Sequence, residues 1–500
     1  MTVRSGIASS RRCYILSASI FLLILFLSTA RYSDVSIPVP KPQEAPNAPE
    51  KPAPVDLTQT PGCIPELQTL KNPEYKLSHN VNYVRRCIKP KFDDTITRQD
   101  RGDGRYVDKV VNMRGNLITE KTPVNLEACD NIKSISCETL ELPVQRPYPE
   151  KKFDHLLFSV ATTYERLRQS LPTFEHWLSH TDAALIALIV DKPESGKPLN
   201  LDFQRLVQEY NNAGIKLKIV MPHDPNHTVP QSHMMMIKDM LDYIDAENTT
   251  TRWLGVLDDD TFFPSLYALS DTLARYDHTV PAYLGAISEN LNQAAIGLGA
   301  FGGAGIFLSV PLARQIAPFL ESCLSERGGD MQIMECIHNN TPTRLQQVTG
   351  LQQQDFRGDP SGFFESGWRF LSLHHFKSWY QAPVKQMAAV VPICGDCFLQ
   401  RYSFDDQTVL ANGYSISVYP NGFPDLTRME GTWDKADENR RFQWSLGPLR
   451  SRMSPENKQQ YRLVDAFTVE NGALRQIFVR RGNPEKHEVD EVIDFLWKLD

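Results

Sequence analysis

Residues 253–260, WLGVLDDD, end an apolar run on three consecutive carboxylates, Asp258, Asp259 and Asp260. Crowded carboxylates repel one another and lose solvation when buried, so the cluster needs a compensating charge. A hard divalent cation supplies one. Mg²⁺ or Mn²⁺ takes oxygen ligands, commonly one or two carboxylates together with substrate phosphates. An EF-hand loop counted from Asp258 does not fit, because Phe263 and Leu269 stand where that loop needs glycine and glutamate. The plainer alternative is an aspartate-rich turn capping the next segment, since aspartate is a favoured N-cap.

The elements that must position these acids show in the apolar periodicity. HLLFSVA (155–161), ALIALIV (184–190), IKLKIVM (215–221) and WLGVL (253–257) are strand-like runs. Between them Leu167, Leu171, Phe174 and Leu178, then Phe203, Leu206, Val207 and Tyr210, then Ile237, Met240, Leu241 and Ile244 recur at helical spacing. The Met234–Met236 run reads as core filler. Strands alternating with helices predict a largely parallel sheet covered on both faces. Ligands of such sheets bind beyond the carboxyl ends of the strands. The three acids lie at that edge, and so does the loop Ala161, Thr162, Thr163, whose hydroxyls and helix-opening N–H groups suit a nucleotide or phosphate. After Ile393 the runs YSISVYP, DAFTVE and RQIFVRR, with Asn-Gly at 412, 421 and 471, predict a β-rich region closing in a short helix around Val489 to Leu499.

Composition adds the setting. A net charge of −7, 41% hydrophobic and 23% charged residues are ordinary for a globular chain and give no basic face for nucleic acid. Arg4, Arg11 and Arg12 precede the uncharged stretch Cys13–Ala30, which is about long enough to span a bilayer. That order predicts a single-pass type II signal anchor with a cytosolic N-terminus, in a Golgi or ER membrane. A cleaved signal peptide ending at Ala30 is the alternative, and either places the rest in the secretory lumen. Three Asn-X-Thr triplets, at Asn226, Asn248 and Asn339, and eight lumenal cysteines agree with this. Proximity suggests the pairs Cys323–Cys336 and Cys394–Cys397; the other pairings stay open. The expected organisation is a cytosolic tail (1–12), an anchor (13–30), a Pro-rich stem (31–62), a disulfide-tied subregion with little periodicity (63–152), the α/β domain carrying the acids (153–382) and the β-rich region (383–500).

Several blocks, in order, resemble the fringe-like β-1,3-glycosyltransferase superfamily, in its fungal-type branch. They are FSVATTYERLRQSLPTFEHW (158–177), WLGVLDDDTFF (253–263), GGAGIFLS (302–309), GGDMQIMECI (328–337), LQQQDFRGDPSGFFESG (351–367) and LSLHHFKSWY (371–380). The resemblance implies an α/β, Rossmann-like nucleotide-sugar transferase fold of the GT-A type, here with a β-rich C-terminal extension. It implies one divalent cation, Mn²⁺ or Mg²⁺, a UDP-sugar donor and a glycan or glycoprotein acceptor.

Carried over by residue, Asp260 is the most direct metal ligand, with Asp258 and Asp259 orienting metal, ribose or donor sugar. His374 resembles the second protein ligand, and His375 beside it is its rival. Asp330 matches the family's base, although the family pattern has paired acids where this chain has Gly329-Asp330; a helix cap is the alternative role. Gly302, Gly303 and Gly305 allow close backbone approach to donor or acceptor. Ala161, Thr162, Thr163 and Arg168 match the nucleotide-binding block, with a solvated helix position as the alternative for Arg168. A non-catalytic glycan-binding or chaperone-like relative is a reading from another class, and a metal-dependent phosphoesterase would need further ligands.

Overall fold

A computed structural model describes residues 62–96, 110–192, 201–436, 441–470 and 472–498. The expected anchor (13–30) lies outside them, as does all but the last residue of the stem (31–62). Among the described residues no helix is long and apolar enough to cross a membrane. Residues Gly62–Asp500 form one unit.

That unit opens with helix α1 (Pro65–Leu70) and four strands, β1 (Asn80–Phe92), β2 (Val111–Asn112), β3 (Thr122–Asn125) and β4 (Glu138–Val144). The sequence predicts little regularity here, yet β1 is a strand of 13 residues. Its apolar positions pack between several partner strands, which single-segment periodicity cannot reveal. Disulfides Cys63–Cys129 and Cys87–Cys137 tie the segment together, and Cys323–Cys336 and Cys394–Cys397 form as proximity suggests.

The α/β part follows as β5 (Leu156–Thr162), α2 (Tyr164–Leu178), β6 (Ala184–Ile189), α3 (Phe203–Asn212), β7 (Lys216–Val220), α4 (Val229–Glu247) and β8 (Trp253–Leu257). The predicted apolar runs are these strands; every residue of β6 and β8 is buried. Helix α4 starts at a capping box in which Thr228 and Gln231 satisfy each other's backbone N–H groups. Its Met234, Met235 and Met236 are fully buried core, as expected. Then come β9 (Tyr283–Gly285), β10 (Ile306–Ser309), α5 (Gly329–Asn340) and β11 (Leu345–Gln347). The seven strands run in the order β11-β9-β10-β8-β5-β6-β7. β7, β6, β5 and β8 are mutually parallel, and β10 lies antiparallel beside β8. From β5 the chain winds outward through β6 to β7, then returns to β8 on the other side of β5. The β5–β8 boundary is therefore a topological switch point, where open parallel sheets form their crevice. The structure has the Rossmann-like α/β fold and the β-rich extension read from the sequence.

The extension comprises β12 (Arg401–Ser403), β13 (Thr408–Ala411), β14 (Ser415–Val418), β15 (Gln459–Thr468), β16 (Leu474–Arg480) and β17 (Asp490–Trp497). These strands and β1 to β4 form one ten-stranded sheet in which β17 pairs in parallel with β1. The short helix expected around Val489 to Leu499 is corrected: that segment is β17. Val489, Val492, Ile493, Leu496 and Trp497 do recur at helical spacing. Bonding to β16 on one side and β1 on the other overrides it, burying Val492, Ile493, Phe495 and Trp497 on both faces. Asp494, fully buried in the same strand, is paired with Arg475 at 2.9 Å.

Candidate active site

β5 and β8 end side by side, and their last residues begin the site. Thr162, closing β5, is buried and donates its hydroxyl to the Asp259 carboxylate. Thr163 is the N-cap of α2 and accepts from the Arg166 N–H at 3.3 Å, so its hydroxyl is spent on the helix start. Ala161 is half-buried and packs on the core beneath. Arg166 clamps Asp259 in bidentate fashion, its Nε 2.6 Å from Oδ2. The sequence pointed to Arg168, which instead is bonded to Glu165 at 2.9 Å on the exposed side. Two residues are about 200° around an α-helix, so 166 and 168 face opposite ways. Asp259 is thus neutralised by protein, and the charge problem passes to its neighbours.

Asp258 and Asp260 converge on His374. Its Nε2 lies 3.3 Å from Asp258 Oδ2 and 3.0 Å from Asp260 Oδ1. An antiparallel bridge between Phe262 and Leu373, 111 residues apart in the chain, sets the two segments in register.

 The bridge has two bonds, Phe262 N–H to the Leu373 carbonyl and Leu373 N–H to the Phe262 carbonyl, each 2.8 Å. The pairing brings His374 beside the acids from far along the chain. The His374 Nδ1 lies 2.9 Å from the Gln353 carbonyl, which can only accept. Nδ1 therefore carries a proton, and Nε2 is the nitrogen that faces the two carboxylates: it donates to them when the ring is protonated and would be free to ligate a cation that takes the place of that proton. His374 is 2% exposed, and Gly303 makes that possible: a Cβ on residue 303 would stand 2.2 Å from the imidazole.

Burial raises Asp260, but hydrogen bonding and charge from His374 outweigh it and hold the carboxyl down at about 2. Burial likewise opposes charge on His374, and the two acids push it well above its ordinary value. The cluster thus demands one positive charge at this point, which a divalent cation fits as well as a proton does. Asp260, His374 and His375 each offer a ligand atom within 4.8 Å of the others. His375 stands farther off: its Nδ1, the nitrogen on the side of the acids, is 4.0 Å from Asp260 Oδ2, whereas His374 Nε2 reaches both Asp258 and Asp260 within 3.3 Å.

Asp330 approaches from the opposite side, in the first turn of α5. Burial, reinforced by the nearby Asp258 charge, pushes its carboxyl up to about 6, while His233 pulls the other way. A cap role is not what the geometry shows, since the N-cap position of α5 is Gly328. Gly302 lies between the two halves: a Cβ there would meet Asp258 Oδ1 at 2.8 Å and Asp330 Oδ1 at 3.1 Å. Gly302 and Gly303 thus admit side chains of this protein rather than only a ligand. Gly305, at φ +102°, turns the chain into β10. Arg166 and His233 were missed by sequence reasoning. Arg166 sits in the expected nucleotide-binding block, two residues from the residue chosen; His233 is hidden in the apolar run HMMMI and gave no signal of its own.

Residues 209–352 match the family model Fringe-like, and residues 296–439 match a second model, a protein of unknown function, DUF604. The first span holds the three aspartates, the glycine block and Asp330, and the second adds His374. Over those residues the resemblance to the fringe-like superfamily is borne out, and it supports a glycosyltransferase. No curated protein sequence matches the chain. Among solved structures, the chain is similar to the glycosyltransferase GlyE of Streptococcus pneumoniae TIGR4, at 14% identity over 39% of this chain and 45% of that one, with a TM-score of 0.25. It is also similar to a glycosyltransferase involved in the glycosylation of the major capsid of PBCV-1, at 9% identity over 45% and 96% of the two chains, with a TM-score of 0.26. A third is the bifunctional glycosyltransferase WbbM, at 12% identity over 46% and 48%, with a TM-score of 0.28. The chain spans less than half the length of the streptococcal protein. Likenesses at these scores carry no weight beside the strand order and the site geometry.

Proposed function

We propose that this fringe-like chain is an inverting, metal-dependent glycosyltransferase that moves a hexose or N-acetylhexosamine from a UDP-sugar to a glycan or glycoprotein acceptor, forming a β-1,3 linkage. The observation that carries the reading is the two-sided Asp258 carboxylate, whose Oδ2 faces His374 while its Oδ1 faces the side of Asp330. Asp258, Asp260 and His374 would hold Mn²⁺ or Mg²⁺, which when bound offsets the charge developing on the departing diphosphate. Thr162 and Arg166 fix Asp259 at the floor of the crevice, at the switch point where a nucleotide fits. Asp330 removes the acceptor hydroxyl proton as that oxygen attacks the anomeric carbon. The bond from that carbon to the diphosphate breaks, its electron pair leaves with the nucleotide, and a single displacement inverts the configuration. A carboxyl pushed up to about 6 is a better base near neutral pH than an ordinary one.

Anchoring in a Golgi or ER membrane through residues 13–30 belongs to the same proposal. Four disulfides support an oxidising compartment. Asn226, Asn248 and Asn339 are all exposed, as glycan acceptors must be.

Nucleotide release by the full chain, with UDP-Glc, UDP-Gal, UDP-GlcNAc and UDP-GalNAc in turn, tests the reading. Each donor is run with Mn²⁺ and with EDTA, against Asp260→Asn. Release from one donor, lost with EDTA and in the variant, is expected. No release from any donor, together with no Mn²⁺-dependent UDP binding by calorimetry, would refute it in favour of a non-catalytic glycan-binding relative.

A further inference from the structure

His233 lies on α4 and is 8% exposed. Neither ring nitrogen has a hydrogen-bond partner among the described residues. Leaving a buried polar group unsatisfied costs stability, so such a placement calls for a reason. What surrounds the ring supplies one. Nε2 is 3.8 Å from Asp258 Oδ1 and Nδ1 is 3.9 Å from Asp330 Oδ1, distances of approach but not of hydrogen bonds. Two glycines make room for it. A Cβ at Gly329 would stand 2.5 Å from Nδ1, and one at Gly302 would stand 3.3 Å from Nε2. The imidazole therefore occupies space that a side chain at 329 would need. The glycine before Asp330, which departs from the paired acids of the fringe pattern, has a steric cause in this chain.

We infer that His233 is a positioning residue for Asp330: its ring, wedged over Gly329 and Gly302, holds the Asp330 carboxylate in place and apart from Asp258. The inference rests on the proposed transfer reaction. The ring acts through its place and its two polar edges. An apolar side chain of similar length in the same slot keeps the packing and loses the polar edges, so stability and turnover should move in opposite directions.

The test uses the full chain with His233→Met and His233→Gln, read by melting temperature, Mn²⁺ binding by calorimetry, and steady-state kinetics on the donor found active. His233→Met is expected to raise Tm by about 1–3 °C as the unsatisfied nitrogens are removed. Its Mn²⁺ dissociation constant and donor KM should stay within about twofold of wild type, while kcat falls about tenfold or more. His233→Gln should regain part of kcat, because its amide offers polar atoms in the same slot. A lower Tm with unchanged kcat would overturn the inference and make His233 a packing residue. Loss of Mn²⁺ binding would also overturn it, by assigning the ring to the metal side. A wild-type chain that turns over none of the four donors sinks the transfer reading separately. In that case a Tm rise in His233→Met still supports a placement that serves a site rather than stability, and a fall overturns it.

Discussion

Gly303→Ala is the sharpest perturbation of the metal side, because its effect follows from one distance. The added Cβ would stand 2.2 Å from the His374 ring, where ordinary contact begins near 3.4 Å, so the imidazole has to recede by at least about 1.2 Å. Its outward path is closed, since His374 is 2% exposed and its Nδ1 is bonded to the Gln353 carbonyl. A shift of that size takes Nε2 off the position it holds 3.0 Å from Asp260 and 3.3 Å from Asp258. Displacing a ligand in this way should weaken Mn²⁺ binding about 10- to 100-fold, or roughly 1.4–2.8 kcal/mol. Overpacking the core should cost a further ~1–3 kcal/mol of stability. Calorimetric titration of Mn²⁺ into the full-length variant measures the first and thermal unfolding the second. Gly328→Ala is the control, because a Cβ there meets nothing within 4 Å. Wild-type Mn²⁺ affinity and an unchanged melting temperature in Gly303→Ala would refute the claim that His374 is a ligand held in place by this packing.

Two further outcomes are expected. Asp330 is raised to about 6 by burial, and a base works only when deprotonated, so kcat/KM should rise with pH through about 6 and level off above it; a profile flat from pH 5 to 8, or turnover surviving in Asp330→Asn, would remove Asp330 as base. Arg166→Ala leaves the buried Asp259 carboxylate with the Thr162 hydroxyl as its remaining side-chain partner among the described residues and should weaken Mn²⁺-dependent UDP binding about tenfold; Arg168→Ala should stay within about twofold, and equal losses in the two variants would contradict the assignment.

The sequence by itself determined the strands and helices of the α/β domain and the acids at the carboxyl edge. Those features are local: apolar runs long enough to be buried strands, and three carboxylates in a row after one of them. It also pointed to Asp330 and His374 through ordered blocks that resemble the fringe-like superfamily. Tertiary structure alone decided the rest. Val489 to Trp497 carry helical spacing, yet pairing with β1 and β16 makes them a strand, because two hydrogen-bonded neighbours outweigh a segment's own preference. The choice of Arg166 over Arg168 depends on which side of α2 faces Asp259, a matter of helix phase relative to β8. His233 reads as one polar residue in an apolar helix until Gly302 and Gly329 are seen to open space for its ring. Side-chain roles set by distances between segments far apart in the chain are not written in any one segment, since each depends on how the others pack.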